Sequence, residues 1–145
     1  MKRKATSVWQ GSGMEGKGSL TTPSGAFDKH PYSFKARFKN EDGTAGTNPE
    51  ELIAVAHAGC FNMALSFKLG EKGYTPDRLE TDAVLTMNTE GEDFKITDIE
   101  LNLEAEVPDI DEKEFKEIAN KAKEGCPVSQ ALSSVNITLN AKLVK

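Results

Sequence analysis

Two cysteines, Cys60 in "AHAGCFNM" and Cys126 in "KEGCPVSQ", are the residues with the most chemistry to offer. A thiolate is the nucleophilic form of cysteine, and a second thiol can resolve its oxidised product as a disulfide. Taken alone, Cys60 reads more readily as an inert core thiol, because free cysteine is among the most buried residue types. Cys126 lies between Gly125 and Pro127, at the N-cap expected for a short helix. There the orphan amides and the positive end of the dipole favour a thiolate. The pair could be one reactive and one resolving thiol, and their distance along the chain does not say whether they meet. In apolar surroundings Cys60 would have its pKa raised by desolvation and would need a cation beside it. Arg37 is a candidate, since a guanidinium stays charged when partly buried. The other arginines are Arg3 and Arg78. A carboxylate could hold that guanidinium, and Glu50 is a candidate. The plainer reading of Glu50 and Glu51 is that acids in a first helical turn complement the macrodipole. His57, one turn before Cys60, is within reach of the thiol, but reads better as a hydrogen-bonded core or interface histidine. His30, in "DKHPY", reads as a turn residue. Zinc is poorly supported: two His and two Cys include no CxxC and no HxxxH.

These residues need elements to position them. Residues 5–40 read as strands joined by Gly-rich turns. "PYSFKARF" alternates Tyr32, Phe34, Ala36 and Phe38 on one face, which predicts a half-buried strand with Arg37 on the face away from the aromatics. "NEDGTAG" is a turn. "TNPEELIAVAHAGCFNMALS" then predicts a helix. Asn48 is its N-cap, Pro49 its first position, Glu51 completes a capping-box-like pattern, and Gly70 or Gly73 ends it. Residues 78–107 read as a hairpin with its loop near Thr89–Asp93. "DIDEKEFKEIANKAKEG" places Phe115, Ile118, Ala119 and Ala122 at helical spacing, with Gly125 as C-cap. "CPVSQAL" starts a short helix with Pro127 first. "VNITLNAKLV" alternates into a final strand. The order predicts a single α+β domain over residues 1–145 with mainly antiparallel sheet.

The first long helix is apolar on too many sides for one small sheet to cover, which points to a homodimer packed through it. Glu50 and Cys60 sit ten positions apart on that helix, about 15 Å at the usual rise. Sharing one active site would then require Glu50 from a second chain whose helix runs antiparallel.

The net charge of −5 is mixed along the chain, and no basic face with interleaved aromatics offers itself to nucleic acid. The N-terminal "MKRKATSVWQ" lacks the apolar stretch of a signal peptide. No segment reads as approaching the roughly 20 apolar residues of a membrane span, so a soluble, cytoplasmic protein is expected. "GSGMEGKG" approaches a P-loop pattern but has Gly18 where the magnesium-binding hydroxyl belongs, and "SLTTPSG" cannot open the required helix. The sequon at Asn136 falls in a strand of a chain without a secretory signal.

"GTNPEELIAVAHAGCFNMALS" followed by "KAKEGCPVSQAL" resembles the OsmC/Ohr family of bacterial peroxide-resistance proteins, most closely its OsmC branch. The likeness takes in "W-x-G" near the start, "PYSFKARF" and the closing "ITL" strand. It implies an intertwined homodimer, with sheets wrapped around central helices and sites at the interface. It implies a thiol peroxidase that reduces organic hydroperoxides. Cys60 matches the family's peroxidatic cysteine, Cys126 its resolving one, Glu50 the first acid of its N-P-E motif, and Arg37 the arginine of the OsmC branch. The organic-hydroperoxide-resistance branch carries its arginine nearer the N-terminus, where Arg3 is the alternative. On this reading Arg37 stabilises the Cys60 thiolate, and Glu50 of the partner orients Arg37. No cofactor or metal is needed, and a dithiol, such as that of a lipoyl protein, restores the thiols. The competing expectation is a non-catalytic, redox-responsive stress or binding protein on the same fold. Hydrolytic acyl transfer is a weaker rival, with His57 as its only base.

Overall fold

Thr6–Gln10 (β1), Lys17–Thr21 (β2) and His30–Tyr32 (β3) form an antiparallel sheet in the order β1-β2-β3. The computed structural model describes residues 1–41, 43 and 46–144. Both Trp9 and Tyr32 pair with Gly18 across this sheet. Their ring centroids lie 5.4 Å apart. A Cβ at Gly18 would come within 2.3 Å of Tyr32 and 2.7 Å of Trp9, so the rings close over bare backbone. The lysine end of "GSGMEGKG", Lys17 and Gly18, opens β2. His30, expected in a turn, is the first residue of β3, and the turn falls at Lys29, whose φ is 48°.

The strand expected through Phe38 stops at Tyr32. Phe34–Phe38 is a short helix, α1, so Arg37 sits on a helix. Ser33 caps it: its backbone is extended, and its Oγ accepts from the Ala36 amide at 3.1 Å. The Phe34 and Phe38 rings meet at 4.9 Å. A spacing of four satisfies strand alternation and helical neighbours alike, and here the cap decided between them. The turn expected over 40–46 lies partly outside the described residues, at Asp42, Thr44 and Ala45.

Pro49–Glu71 is the long helix α2. Asn48 Oδ1 accepts from the Glu51 amide at 2.8 Å, as the capping pattern predicts. Gly73 ends the helix with φ 85°, while the Tyr74 amide reaches back to the Leu69 carbonyl at 3.0 Å. The chain divides into two compact units, Met1–Leu52 and Ile53–Lys145.

The second unit holds the larger sheet. Arg78–Glu90 (β4) and Asp93–Glu106 (β5) form the expected hairpin, turning at Gly91 with φ 66°. Asn136–Val144 (β6) pairs with β5 in parallel. A parallel partner needs a crossover, supplied by Glu112–Gly125 (α3) and Pro127–Ala131 (α4). Asp111 caps α3 by accepting from the amides of Lys113 and Glu114. Gly125, expected as the C-cap, is the last helical residue, and Cys126 caps in its place, with its N–H on the Ala122 carbonyl. The core joins Phe61, Leu65 and Leu69 of α2 to Ile99, Leu101 and Leu103 of β5 and to Phe115, Ile118, Ala119 and Ala122 of α3.

One stripe of α2, His57, Phe61, Leu65 and Leu69, is buried at a spacing of four. Val55, Met63 and Phe67 remain 69%, 65% and 71% exposed, so a second apolar stripe of the helix is uncovered within one copy. By length and composition alone α2 is long and apolar enough to cross a membrane, which corrects the expectation that no segment is.

Candidate active site

In the second unit, Cys60 of α2 faces Cys126 at the entry to α4. Their sulfurs are 2.9 Å apart, and both are free thiols. Cys126 is fully buried and Cys60 partly so. One turn before Cys60, His57 Nε2 meets Ser129 Oγ at 2.7 Å, and both residues are buried. Burial pushes His57 below the ordinary histidine value, so its ring is neutral at pH 7. The Cys60 thiol is pushed up, first by burial and next by its hydrogen bond with Cys126, while the backbone amide of Val128 acts in the opposite direction. The short helix α4 was expected to support a Cys126 thiolate with its free amides. Instead Cys126 makes no side-chain cap bond, and the amide of Val128 goes to Cys60.

In the first unit, Arg37 of α1 grips Glu50 in the first turn of α2. Arg37 Nε lies 3.1 Å from both carboxylate oxygens, and a second guanidinium nitrogen lies 2.5 Å from Oε1. This fork is the geometry that guanidinium and carboxylate favour. The pair is formed within one chain, whereas the expectation from sequence is that Glu50 of a partner orients Arg37. A cavity of about 240 Å³ adjoins the guanidinium, lined by Trp9, Tyr32, Phe34, Phe38 and Pro49 with Arg37 itself. Arg3, the alternative arginine, bonds to the neighbouring Lys2 carbonyl alone among the described residues.

Residues 40–140 match the family described as OsmC-like protein. The chain belongs to the OsmC family. Over 141 residues it is 47% identical to Peroxiredoxin OsmC of Escherichia coli strain K12, covering 97% of this chain and 96% of that one. It is 31% identical over 127 residues to Organic hydroperoxide resistance protein OhrB of Bacillus subtilis strain 168, covering 86% of this chain and 89% of the relative. The crystal structure of the OhrB protein superposes with a TM-score of 0.70 at 28% identity, over 96% of this chain and 98% of that one. An OsmC like protein from Mycoplasma pneumoniae shares the fold, with a TM-score of 0.78 at 21% identity over 100% of this chain and 99% of the other.

In this OsmC-family chain the sequence singles out both thiols, Arg37 and Glu50 as candidates, and gives no place to Ser129 or to the aromatic cavity. Ser129 had a readable signal: H-x-x-C in α2 and C-x-x-S across α4 share one spacing.

The raised Cys60 thiol has a direct consequence in pH. An acid whose pKa is raised by folding stays protonated to higher pH, so in Arg37→Ala, where no guanidinium from that position can oppose the shift, alkylation of Cys60 by iodoacetamide keeps accelerating beyond the pH at which a free thiol has levelled off. When Cys126→Ser is added to Arg37→Ala the profile moves back to lower pH, because the second cause of the shift is reduced. The rate-versus-pH curves of the two proteins check this, and a Cys60 profile below that of a free thiol would contradict it.

Proposed function

We propose that this protein is a thiol peroxidase that reduces organic hydroperoxides to alcohols, with Cys60 as the attacking thiolate and Cys126 as the resolving thiol. The observation that carries the reading is the 2.9 Å separation of the two sulfurs in a chain of the OsmC family. The Cys60 thiolate attacks the terminal peroxide oxygen; the O–O bond breaks, and the alkoxide leaves and takes a proton to become the alcohol. Cys60 is then a sulfenic acid. Cys126 attacks its sulfur, the S–O bond breaks, the S–S bond forms, and the hydroxyl departs with the Cys126 proton as water. An external dithiol of the lipoyl class reduces the disulfide and returns both thiols.

A raised thiol needs a cation to ionise at neutral pH, and the Arg37–Glu50 pair is the one we assign. The aromatic cavity beside Arg37 suits the alkyl or aryl part of the substrate. The unpartnered stripe of Val55, Met63 and Phe67 supports a homodimer in which a second copy covers it, with one Arg37–Glu50 pair serving Cys60 of the other copy. Two free thiols fit a reducing, cytoplasmic setting.

Intact mass after one equivalent of cumene hydroperoxide tests the thiol chemistry. The expected product has lost two hydrogens and carries no added oxygen. A stable sulfenic or sulfinic adduct counts against Cys126 as the resolving thiol, and an unchanged mass counts against the peroxidase.

A further inference from the structure

The segments that carry the two thiols meet through two side-chain pairs, besides the Val128 amide that goes to Cys60. Cys60 meets Cys126 at 2.9 Å, and His57 meets Ser129 at 2.7 Å. On each helix the two contact residues are three positions apart, so both lie on one face. The order is reversed, 57 with 129 and 60 with 126, so α4 lies against α2 in the antiparallel sense. Cys126 makes no side-chain cap bond within α4; its thiol goes to Cys60 of α2 instead. α4 is only five residues long, too short to hold a position by helix formation alone. His57 has no other side-chain duty: its Nδ1 is buried and has no hydrogen-bond partner among the described residues. A buried ring with one nitrogen satisfied and one not is a costly feature in a core.

We propose that the His57–Ser129 bond is a positioning clamp that holds α4 on α2 and so sets the separation of Cys60 and Cys126, making disulfide closure fast and favourable. The inference rests on the reading of the two cysteines as a redox pair. Among the described residues the His57 and Ser129 side chains hydrogen-bond to each other and to neither sulfur; they act through the helices that carry the sulfurs. Ring neutrality fits the role, because a neutral imidazole offers one donor and one acceptor and its bond to a hydroxyl does not depend on protons taken from solvent near pH 7. Fixing two reacting groups in place raises their effective concentration, and loosening either helix end lowers it.

The test is the equilibrium of the Cys60–Cys126 disulfide with the glutathione couple, read by intact mass after acid quench. It gives the effective concentration of one thiol at the other. In Ser129→Ala this falls about tenfold, as expected for loss of one buried hydrogen bond. Ser129→Thr keeps the hydroxyl and His57→Gln keeps a donor and an acceptor at that reach, so both stay within about threefold of the parent. The melting temperature of the reduced protein is followed in parallel. A purely structural bond would lower that temperature in Ser129→Ala and leave the effective concentration unmoved, and this result overturns the clamp. No peroxide enters the measurement, so a failed peroxidase assay and a failed clamp are separate results.

Discussion

Cys60→Ser loses at least about 10³-fold of kcat/KM toward cumene hydroperoxide with a small dithiol as reductant, as removal of a nucleophile does. Serine is close in size, so the helix and its core stripe survive. Its hydroxyl neither ionises in this pH range nor accepts an oxygen atom from a peroxide. The loss should fall on the first chemical step, with the far-ultraviolet spectrum unchanged. Cys126→Ser makes the contrast. Its first oxidation remains, the sulfenic acid persists, and excess peroxide drives it to sulfinic acid. Equal, slow peroxide consumption by the parent and Cys60→Ser would end the peroxidase reading, whatever the fold resembles.

The second large effect comes from the Arg37–Glu50 pair. Arg37→Ala is expected to lower turnover about 10²-fold, the scale seen when a preorganised charge-stabilising group is removed. Where that arginine acts can be read by mixing. If Arg37 and Glu50 of one copy serve Cys60 of the other, then Cys60→Ser and Arg37→Ala, each inactive alone, complement. A mixed dimer holds one site with both groups intact and one with neither. Free exchange in equal amounts makes half of the dimers mixed, so about a quarter of parental activity returns. Activity that stays at the level of the separate variants after subunit exchange would place the pair and the thiol in the same copy. The chain-internal fork between Arg37 and Glu50 gives this experiment its form: the two groups travel together and do not need to be separated.

Much of this architecture is written in local chemistry. Asn48, Pro49 and Gly73 mark α2, because caps and left-handed glycines act within a few residues. The hairpin at Gly91 is similarly local. The failures have physical causes. Phe34 and Phe38 fit a strand and a helix equally well, and the deciding bond, from the Ala36 amide to Ser33 Oγ, is a weak signal in a stretch rich in β-formers. Reading α1 as a strand also turned Arg37 away from the aromatics; its bond to Glu50 was expected, but from a partner copy. The parallel pairing of β6 depends on a partner far back in the chain, and the period-two pattern is the same for both senses. The meeting of Cys60 and Cys126 was suggested by family resemblance; only the packing of α4 on α2 puts the sulfurs together.

The parallel β6 bears on how the chain acquires its two-thiol arrangement. The β4–β5 hairpin closes over a two-residue turn and can zip early, whereas β6 pairs only after a long stretch of chain has been brought round, an entropically costly and slow event. Cys126 lies on the crossover that leads back to β6 and Cys60 lies far before it on α2, so their contact belongs with the long-range pairings and not with the hairpin. Disulfide competence is thereby tied to the long-range packing of α4 on α2.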